Sequence, residues 1–289
     1  MSPASLLRNA RDTARLLAAR RRVAGMLRRA TGDTVPLLRA VEAALRGDAS
    51  AEERAWMERI ERLRRRLLAI DLPLTLVDYG AGAPELALSA EEMYAGRAVT
   101  RTLAEVCRGG SKPPFWAGVL FHLVRQVRPA SCVELGTCLG ISAAYQAAAL
   151  GLNGRGRMTT LEGAEKVAEL AGLHLEELGL DGIATVVTGR FQDTLAEVLR
   201  ERAPVDYAFI DGHHDEHATL GYFGQIHPHL AESALVVFDD VAWSAGMRRA
   251  WTALQADERI RTVLDLGAVG VGVTGPASIP KQHLRLPLG

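Results

Sequence analysis

The 289 residues are nearly half hydrophobic and carry 34 basic against 34 acidic side chains, so the chain has no net charge at pH 7. This composition predicts an ordinary soluble globular protein, long enough for one large domain with an appendage. No apolar run approaches the roughly 18 residues that a membrane-spanning helix requires, which argues against a membrane protein.

The charge is distributed unevenly along the chain. Residues 1–70 hold 16 Arg and no Lys against 8 acidic side chains, whereas the rest of the chain holds 18 basic and 26 acidic side chains. A basic segment suits nucleic acid or a membrane surface. These arginines alternate with Leu, Ala and Glu, however, as on a solvated amphipathic helix. We therefore expect packing against the acidic body or a second subunit, and no nucleic-acid or membrane partner.

The three cysteines, Cys107, Cys132 and Cys138, are spaced like no zinc site, and one disulfide would leave an unpaired thiol. Reduced thiols are therefore expected, which favours a cytoplasmic location. The segment from Met1 to Arg22 lacks the apolar core of a secretory signal, although its Arg-rich, acid-poor character weakly resembles an organelle-targeting peptide.

Apolar residues at helical spacing predict helices over residues 4–30 and 36–70. The next segment, residues 74–84, imitates a cofactor loop, because a short strand leads to Asp78 and then to Gly80 and Gly82. A polar, alanine-rich stretch follows it, and no ribose-binding strand appears roughly 20 residues on. We expect an accessory lid or substrate-side loop here, with a plain surface hairpin as the alternative.

From about residue 113, short apolar runs alternate with helical patterns. Helices are predicted over residues 116–127, 141–150, 164–178, 194–202, 216–230 and 246–256. Strands are predicted over residues 130–135, 157–161, 184–188, 207–211, 234–239, 261–266 and 269–274. This alternation predicts an α/β fold with a doubly wound, mostly parallel seven-stranded sheet. The last two strands must run antiparallel because only Gly267 and Ala268 separate them.

Residues 132–143 are the most informative stretch, since they combine a buried strand, a glycine-rich turn and the start of a small-residue helix. Glu134 lies at the strand, and Gly136 and Gly140 follow two and six positions later. Glycine allows sharp turns and close approach of a ligand. A strand–turn–helix of this kind typically cradles a nucleotide-like cofactor. The spacing Glu-x-Gly-x-x-x-Gly differs from the Gly-x-Gly-x-x-Gly of dinucleotide folds.

On these residues, the stretch from about 112 to 274 resembles the class I S-adenosylmethionine-dependent methyltransferases. It is most similar to the catechol O-methyltransferase-like small-molecule O-methyltransferases of bacteria. The resemblance implies a Rossmann-like methyltransferase domain over residues 111–289, after a helical lid or dimerisation region over residues 1–110. It also implies an S-adenosylmethionine cofactor, a small hydroxylated or carboxylated acceptor, and a homodimer as one use of the N-terminal helices.

The resemblance assigns cofactor-binding roles to the glycine loop and the strand after it. Glu134 is at the position that helps hold the methionine end of the cofactor, and Gly136, Gly140 and Ser142 belong to the loop and helix start beneath it. Glu162 ends the second strand after the loop, where a carboxylate suits the two hydroxyls of the ribose.

The adenine is expected beyond the third strand, at residues 189–193. Gln192 offers an amide, Asp193 an acceptor for the exocyclic amine, and Phe191 an aromatic ring to cover the base. Asp193 is also suited to cap the next helix.

Acidic residues end the fourth and fifth strands: Asp211 follows the fourth, and Asp239 and Asp240 follow the fifth. Ligands of open α/β sheets bind at this edge. Three converging carboxylates would repel one another unless a cation shares them, and oxygen donors suit Mg²⁺ or another hard divalent ion. In the resembling family, acids at these positions hold such an ion, which chelates two substrate oxygens.

One departure from the family concerns the general base. The catechol-type enzymes have a lysine three residues after the first metal-binding Asp, and this chain has His214 there. A histidine near its normal pKa is a competent base at neutral pH. Three alternatives stay open: His214 is the base beside a metal, His213 and His214 together bind a softer metal, or no metal binds. In the last case Asp211 and Asp239 only orient His214 and the substrate.

Three further residues are candidates by position. Lys112, before Pro113 and Pro114, starts the segment that folds over the cofactor in related enzymes. It is expected either to contact the methionine carboxylate or to lie on the surface. Trp243 and Met247 follow the Asp pair and either wall a substrate pocket or pack in the core.

Two other function classes share parts of the pattern. An NAD(P)-dependent Rossmann oxidoreductase has the glycine turn and the ribose acid, but the loop spacing, the acidic cluster and the terminal hairpin argue against it. The second alternative class is a methyltransferase-fold protein that binds nucleic acid or a partner through its basic helices. RNA-modifying relatives usually carry an Asn-Pro-Pro-Tyr-like motif after strand four, and residues 211–214 are Asp-Gly-His-His instead.

Overall fold

The computed structural model of the protein describes residues 3–80, 82 and 88–288. Ala81, Ala83 and Pro84 of the accessory glycine loop lie outside these described residues.

The helices are α1 (Pro3–Leu27), α2 (Thr34–Arg46), α3 (Ala51–Leu67), α4 (Ala90–Ala95), α5 (Leu103–Gly110), α6 (Pro114–Val127), α7 (Ile141–Asn153), α8 (Glu165–Leu178), α9 (Phe191–Arg202), α10 (Glu216–Ile226) and α11 (Ala245–Ala256). The strands are β1 (Pro73–Asp78), β2 (Arg97–Thr102), β3 (Ser131–Leu135), β4 (Arg157–Glu162), β5 (Ala184–Thr188), β6 (Val205–Ile210), β7 (Leu230–Phe238), β8 (Ile260–Asp265), β9 (Gly270–Thr274) and β10 (Gln282–Arg285).

The central sheet has eight strands in the order β10-β8-β9-β7-β6-β3-β4-β5. Strands β3 to β7 are mutually parallel, and β9 is antiparallel to both β7 and β8. The doubly wound, mostly parallel sheet is therefore confirmed, and all seven predicted strands form. Strand β10 adds an eighth, parallel to β8 at the edge. It was missed because its four residues are too few and too polar to show a strand pattern.

The central strands are buried on both faces. Every residue of β9 and the carboxyl-terminal half of β7, from Ala234 to Phe238, are buried, because helices cover both sides of the sheet. The order reverses between β3 and β6, so the loops after these two strands diverge and leave a crevice at their carboxyl ends.

The basic N-terminal helices pack on the body of the protein. Leu37, Leu38 and Val41 of α2 are buried in the main core. Helix α3 begins with a capping box, in which Ser50 accepts from the Glu53 amide at 3.1 Å and the Glu53 carboxylate accepts from the Ser50 amide at 2.8 Å. The Arg125 Nε of α6 donates to the same Glu53 carboxylate at 2.8 Å, which ties the N-terminal helices to the sheet domain.

Strands β1 and β2 form a separate antiparallel hairpin, with Pro73 opposite Thr102 and Asp78 opposite Arg97. Helix α4 lies between them in sequence. The Asp78 carboxylate lies 3.3 Å from an Arg101 nitrogen and accepts from the Gly80 amide at 2.9 Å, which orders the start of the glycine segment. The accessory glycine loop thus follows a strand of a hairpin that lies outside the central sheet. Among the described helices, none combines the length and apolarity needed to cross a membrane.

Candidate active site

A cavity of about 660 Å³ lies at the carboxyl ends of β3, β4 and β6. Its floor comes from the loops that follow these strands, and its walls come from the β1–β2 hairpin and the connection between α5 and α6. This volume falls within the roughly 300–1,000 Å³ typical of small-molecule sites.

The glycine loop after β3 is tied to the neighbouring strand. The amides of Gly136 and Thr137 donate to the Leu161 carbonyl at 3.0 and 3.2 Å. Gly136 has φ +100°, and a Cβ there would lie 1.9 Å from the Asp211 carbonyl oxygen. Only glycine allows β3 and β6 to approach this closely. Gly140 precedes α7 with φ +81°, so both predicted glycines lie at turns that favour glycine.

Glu134 lies beneath the loop and is completely buried. Its carboxylate accepts hydrogen bonds from Thr160 Oγ1 at 2.6 Å and Gln146 Nε2 at 2.8 Å. Burial raises the pKa of Glu134 to about 7. Ser142, on the first turn of α7, is also buried, and its carbonyl accepts from Gln146 at 3.1 Å. The structure therefore places both residues behind the cavity wall, and their contact with the cofactor stays a prediction.

Glu162 lies at the cavity as predicted, where β4 ends. One carboxylate oxygen accepts from the Cys138 amide at 2.8 Å and the other from the Ala164 amide at 2.9 Å. Burial raises the pKa of Glu162, and these backbone donors oppose that effect. Each oxygen keeps a second lone pair, so the carboxylate is fixed in place with acceptor capacity to spare.

The residues expected at the adenine lie differently. Helix α9 begins at Phe191, three residues before the predicted start, so Gln192 and Asp193 occupy its first turn and are exposed. Asp193 pairs with Arg190 at 2.6 Å and accepts from the Tyr94 hydroxyl at 3.3 Å. Phe191, which was expected to cover the base, does line the cavity, and Arg190 lies beside it in the wall. The adenine roles of Gln192 and Asp193 stay predictions.

The acidic residues after β6 and β7 meet at the cavity. Asp211, His214 and Asp239 each offer a donor atom, and these three atoms lie within 4.8 Å of one another. Asp240 points more to solvent, with 34% of its side chain exposed, against 3% for Asp239. The structure thus brings together three of the four predicted residues and places Asp240 at the rim.

Lys112 enters this cluster from the connection between α5 and α6. Its ammonium contacts the Asp239 carboxylate and lies 3.4 Å from Asp211 Oδ1, with 12% of the side chain exposed. It is thus neither a surface lysine nor free to reach elsewhere without breaking these ion pairs. Its pairing was missed because the two aspartates lie far from it in sequence.

The two histidines of the Asp-Gly-His-His segment separate. His214 lines the cavity, with Nε2 3.6 Å from Asp211 Oδ1 and Nδ1 3.8 Å from Asp240 Oδ2. The His213 ring is buried and its Nδ1 lies 2.9 Å from the Tyr222 hydroxyl. Burial lowers the pKa of His213 to about 4. In the part of the chain that the structure describes, the metal-donor group includes His214 and not His213, so the paired-histidine alternative is not supported.

Backbone strain concentrates at the same place. Five described residues other than glycine have positive φ, and four of them are in the loops that meet at the cavity: Cys138, His213, His214 and Asp240. Such conformations cost roughly 1–3 kcal/mol each and persist only where the surroundings impose them. Four in one crevice indicate that the side-chain directions at this edge are fixed by the fold.

The substrate-side candidates also divide. Trp243 lines the cavity and 48% of it is exposed, whereas Met247 is buried and accepts from Thr219 Oγ1 at 3.4 Å. Tyr79, which the sequence did not single out, lies over Gly163, where a Cβ would be 2.7 Å from its ring. The signal that could have found Tyr79 was its place beside the accessory glycine segment.

The kind and spacing of the donors at Asp211, His214 and Asp239 fit a divalent ion. The imidazole makes this set softer than the all-oxygen sets that Mg²⁺ prefers. The ammonium of Lys112 already lies against two of the three donors.

Comparison with known proteins agrees with the fold and the loop. Residues 133–241 match the model of a methyltransferase domain family. The chain is 30% identical over 182 residues to catechol O-methyltransferase from Niastella koreensis, covering 62% of this chain and 72% of that protein. Two crystal structures share the fold. The O-methyltransferase from Bacillus cereus in complex with S-adenosylhomocysteine is 24% identical, with 60% of this chain and 89% of that chain covered and a TM-score of 0.51.

The second is TomG from Streptomyces achromogenes, an O-methyltransferase involved in tomaymycin synthesis and solved with S-adenosylmethionine. It is 22% identical, and 58% of this chain and 82% of that chain are covered at a TM-score of 0.51. The sheet order, the glycine loop above Glu162 and the relative from Niastella koreensis agree. The chain belongs to the class I S-adenosylmethionine-dependent O-methyltransferases.

Proposed function

We propose that this methyltransferase transfers the methyl group of S-adenosylmethionine to an oxygen atom of a small hydroxylated molecule. The observation that carries the proposal is the meeting of three features around one cavity: the glycine loop, the fixed Glu162 carboxylate, and the cluster of Asp211, His214 and Asp239. A cofactor site and a set of groups able to handle a proton thus share one small-molecule-sized space.

The cofactor would lie along the glycine loop with its ribose towards Glu162. Two backbone amides hold that carboxylate in place, which leaves its remaining lone pairs for the ribose hydroxyls. Gly136 and Gly163 line the same cavity; a Cβ would collide with the Asp211 carbonyl at the first and with the Tyr79 ring at the second. Arg190 and Phe191 are the neighbours of the adenine end, and their place in the cavity wall supports this orientation.

The reaction is an in-line displacement. As the bond between the acceptor oxygen and the methyl carbon forms, the bond from carbon to sulfur breaks, and the sulfonium becomes the neutral thioether of S-adenosylhomocysteine. The acceptor proton passes to His214, whose ring lies between Asp211 and Asp240. These carboxylates orient the imidazole and stabilise its protonated form. Holding the two reactants in line supplies much of the remaining rate enhancement.

The buried carboxylates need a cation beside them. A divalent ion held by Asp211 and Asp239, beside His214, would supply Lewis acidity that lowers the pKa of the acceptor hydroxyl. The positively charged ammonium of Lys112, which belongs to the chain itself, is the other cation that can lie beside these carboxylates.

The surroundings favour a planar acceptor that lies near the cavity mouth. Trp243 lines the same cavity as His214 with a large, half-exposed ring, and its amide donates to the Asp240 carbonyl at 2.9 Å. An aromatic acceptor would stack on this ring with its hydroxyl towards His214. The acceptor class is thus a small aromatic alcohol.

The proposal extends to the setting of the enzyme. All three cysteines are free thiols, which supports a cytoplasmic location. The division into an N-terminal helical region over residues 1–110 and a catalytic domain over 111–289, and a homodimer through the N-terminal helices, stay predictions. Size measurement of the purified chain by light scattering tests the dimer.

The function is tested with S-adenosylmethionine labelled in the methyl group and a panel of small phenols and catechols. We expect label in an extracted product and one equivalent of S-adenosylhomocysteine per methyl group. The His214→Gln variant should bind the cofactor as the wild type does and transfer methyl groups about 10²–10⁴ times more slowly. Thermal stabilisation by NAD⁺ with none by S-adenosylmethionine would contradict the proposal and favour an oxidoreductase.

A further inference from the structure

The ammonium of Lys112 lies against the group of residues whose donor atoms have metal-binding spacing. Its ammonium contacts Asp239 and lies 3.4 Å from Asp211, so it touches two of the three residues with metal-donor spacing. The side chains of Asp211 and Asp239 are 8% and 3% exposed, and that of Lys112 is 12% exposed. The three groups therefore interact away from bulk water, where an unbalanced charge is costly.

The local chain directs Lys112 to this place. Helix α5 ends at Gly110, and the Ser111 amide donates to the Cys107 carbonyl at 3.2 Å, which fixes the exit from the helix. Pro113 follows with φ −53° and ψ 150° and leads into α6. A residue before proline is restricted to extended conformations. Lys112 therefore stands on a stiff two-helix connection rather than a mobile loop.

The charges around the cluster agree with this role. Among the described residues, Lys112 is the one cationic side chain within ion-pair distance of both Asp211 and Asp239. The other two lysines of the chain, Lys166 and Lys281, are elsewhere: Lys166 is exposed on α8, and Lys281 donates to the Asp257 carbonyl at 2.7 Å. A lysine is a compact point charge with three donors, so it can serve two carboxylates at once.

We propose that Lys112 is an internal cation that replaces the divalent ion at Asp211 and Asp239, so that a metal ion binds there only when the ammonium is removed. One consequence of this proposal is that methyl transfer needs no added metal, and that consequence rests on the proposed function. The competition between the ammonium and a metal ion can be measured without any acceptor. Lys112 is a positioning residue, since it acts through the two carboxylates and not on the methyl group.

The test titrates purified, metal-free protein with Mn²⁺, using electron paramagnetic resonance to count bound ions. We expect no binding to this cluster in the wild type below about 1 mM. The Lys112→Met variant, which keeps the length of the side chain, should bind one Mn²⁺ at least tenfold more tightly. Lys112→Arg keeps the charge and should resemble the wild type, and Lys166→Met is the matched control for loss of a lysine.

A second variant shows where the ion binds and guards against misfolding. Adding Asp239→Asn to Lys112→Met should abolish the gained Mn²⁺ site, while circular dichroism and cofactor affinity report on folding. Equal Mn²⁺ affinity in the wild type and Lys112→Met would overturn the proposal, and so would the absence of binding in both. If Lys112→Met fails to fold, Lys112→Gln replaces it, with the same expectations.

Activity gives a separate readout. The wild-type enzyme should keep its rate of methyl transfer in excess chelator, and a rate that collapses in chelator and returns with Mg²⁺ would overturn the proposal. If no acceptor is methylated under any condition, the proposed function fails, whereas the Mn²⁺ titrations still decide the role of Lys112.

Discussion

Replacing Gly136 with alanine tests how the glycine loop and the acidic cluster are built together. The new Cβ would lie 1.9 Å from the Asp211 carbonyl oxygen, whereas ordinary contact begins near 3.4 Å, so one of the two strands must retreat by about 1.5 Å. The φ of +100° adds about 1–3 kcal/mol of backbone strain for alanine. Retreat of Asp211 also weakens the bond from its amide to the Leu135 carbonyl, now 2.9 Å long and worth about 1 kcal/mol.

We therefore expect Gly136→Ala to lose about 2–4 kcal/mol of unfolding free energy. If the protein still folds, a shift of about 1 Å in Asp211 should slow methyl transfer roughly 100-fold. Urea denaturation measures the first effect, and the rate of label transfer from methyl-labelled S-adenosylmethionine measures the second. The matched control is Gly172→Ala within α8, where nothing lies within 4 Å of the added Cβ. It should gain about 0.5–1 kcal/mol from the helix preference of alanine. A Gly136→Ala protein with wild-type stability and a wild-type rate of methyl transfer would refute this reasoning.

Three further substitutions probe the residues around the cavity. Glu162→Ala should weaken S-adenosylhomocysteine binding about 10–100-fold in calorimetry, because charged hydrogen bonds of roughly 1.5–3 kcal/mol are lost. The control is Glu165→Ala, at an exposed position. Equal losses of affinity in the two variants would argue against a contact between Glu162 and the ribose. Asp239→Asn should slow methyl transfer at least tenfold while the Kd of the cofactor changes little, and a large change in that Kd with an unchanged rate would contradict its role in the cluster with Asp211 and His214. Glu134→Gln should remove a pH dependence of stability. Its native pKa of about 7 lies above the 4.5 of an exposed carboxyl, so the unfolded chain binds fewer protons between these values and wild-type stability falls as the pH rises. Urea melts at pH 4.5 and 7.5 should show the wild type losing about 3 kcal/mol relative to the variant, and parallel pH profiles would contradict a raised pKa.

The sheet could be predicted from the sequence because the pattern that marks each strand lies within the strand and its neighbouring turns. Each strand from β3 to β9 is a short apolar run between turn residues, and the glycines of residues 136–140 mark the loop directly. The acids at Glu162, Asp211 and Asp239 were predictable for the same reason, since they end strands whose carboxyl ends share one edge. Strand β10 was not, because an edge strand of four residues, with Leu284 as its one apolar side chain, carries no periodic signal.

The side-chain partners of the site could not be predicted, because they depend on tertiary packing. Lys112, for example, contacts Asp239, which lies 127 residues further along the chain. Glu134 was expected to touch the cofactor, and whether it does so depends on which way one buried side chain turns. The start of α9 depends on the Arg190 carbonyl, which accepts from the Thr194 amide at 3.1 Å and draws Gln192 and Asp193 into the helix.

The proposed enzyme binds S-adenosylmethionine in this cavity and transfers its methyl group to an oxygen atom of a small molecule. The most direct measurement is a single-turnover reaction with methyl-labelled S-adenosylmethionine and a catechol panel, followed by mass spectrometry of the products. We expect one S-adenosylhomocysteine and one O-methylated product per turnover, with the rate lowered at least 100-fold in His214→Gln. Unchanged S-adenosylmethionine with every acceptor, from a folded protein that does not bind the cofactor in calorimetry, would contradict it.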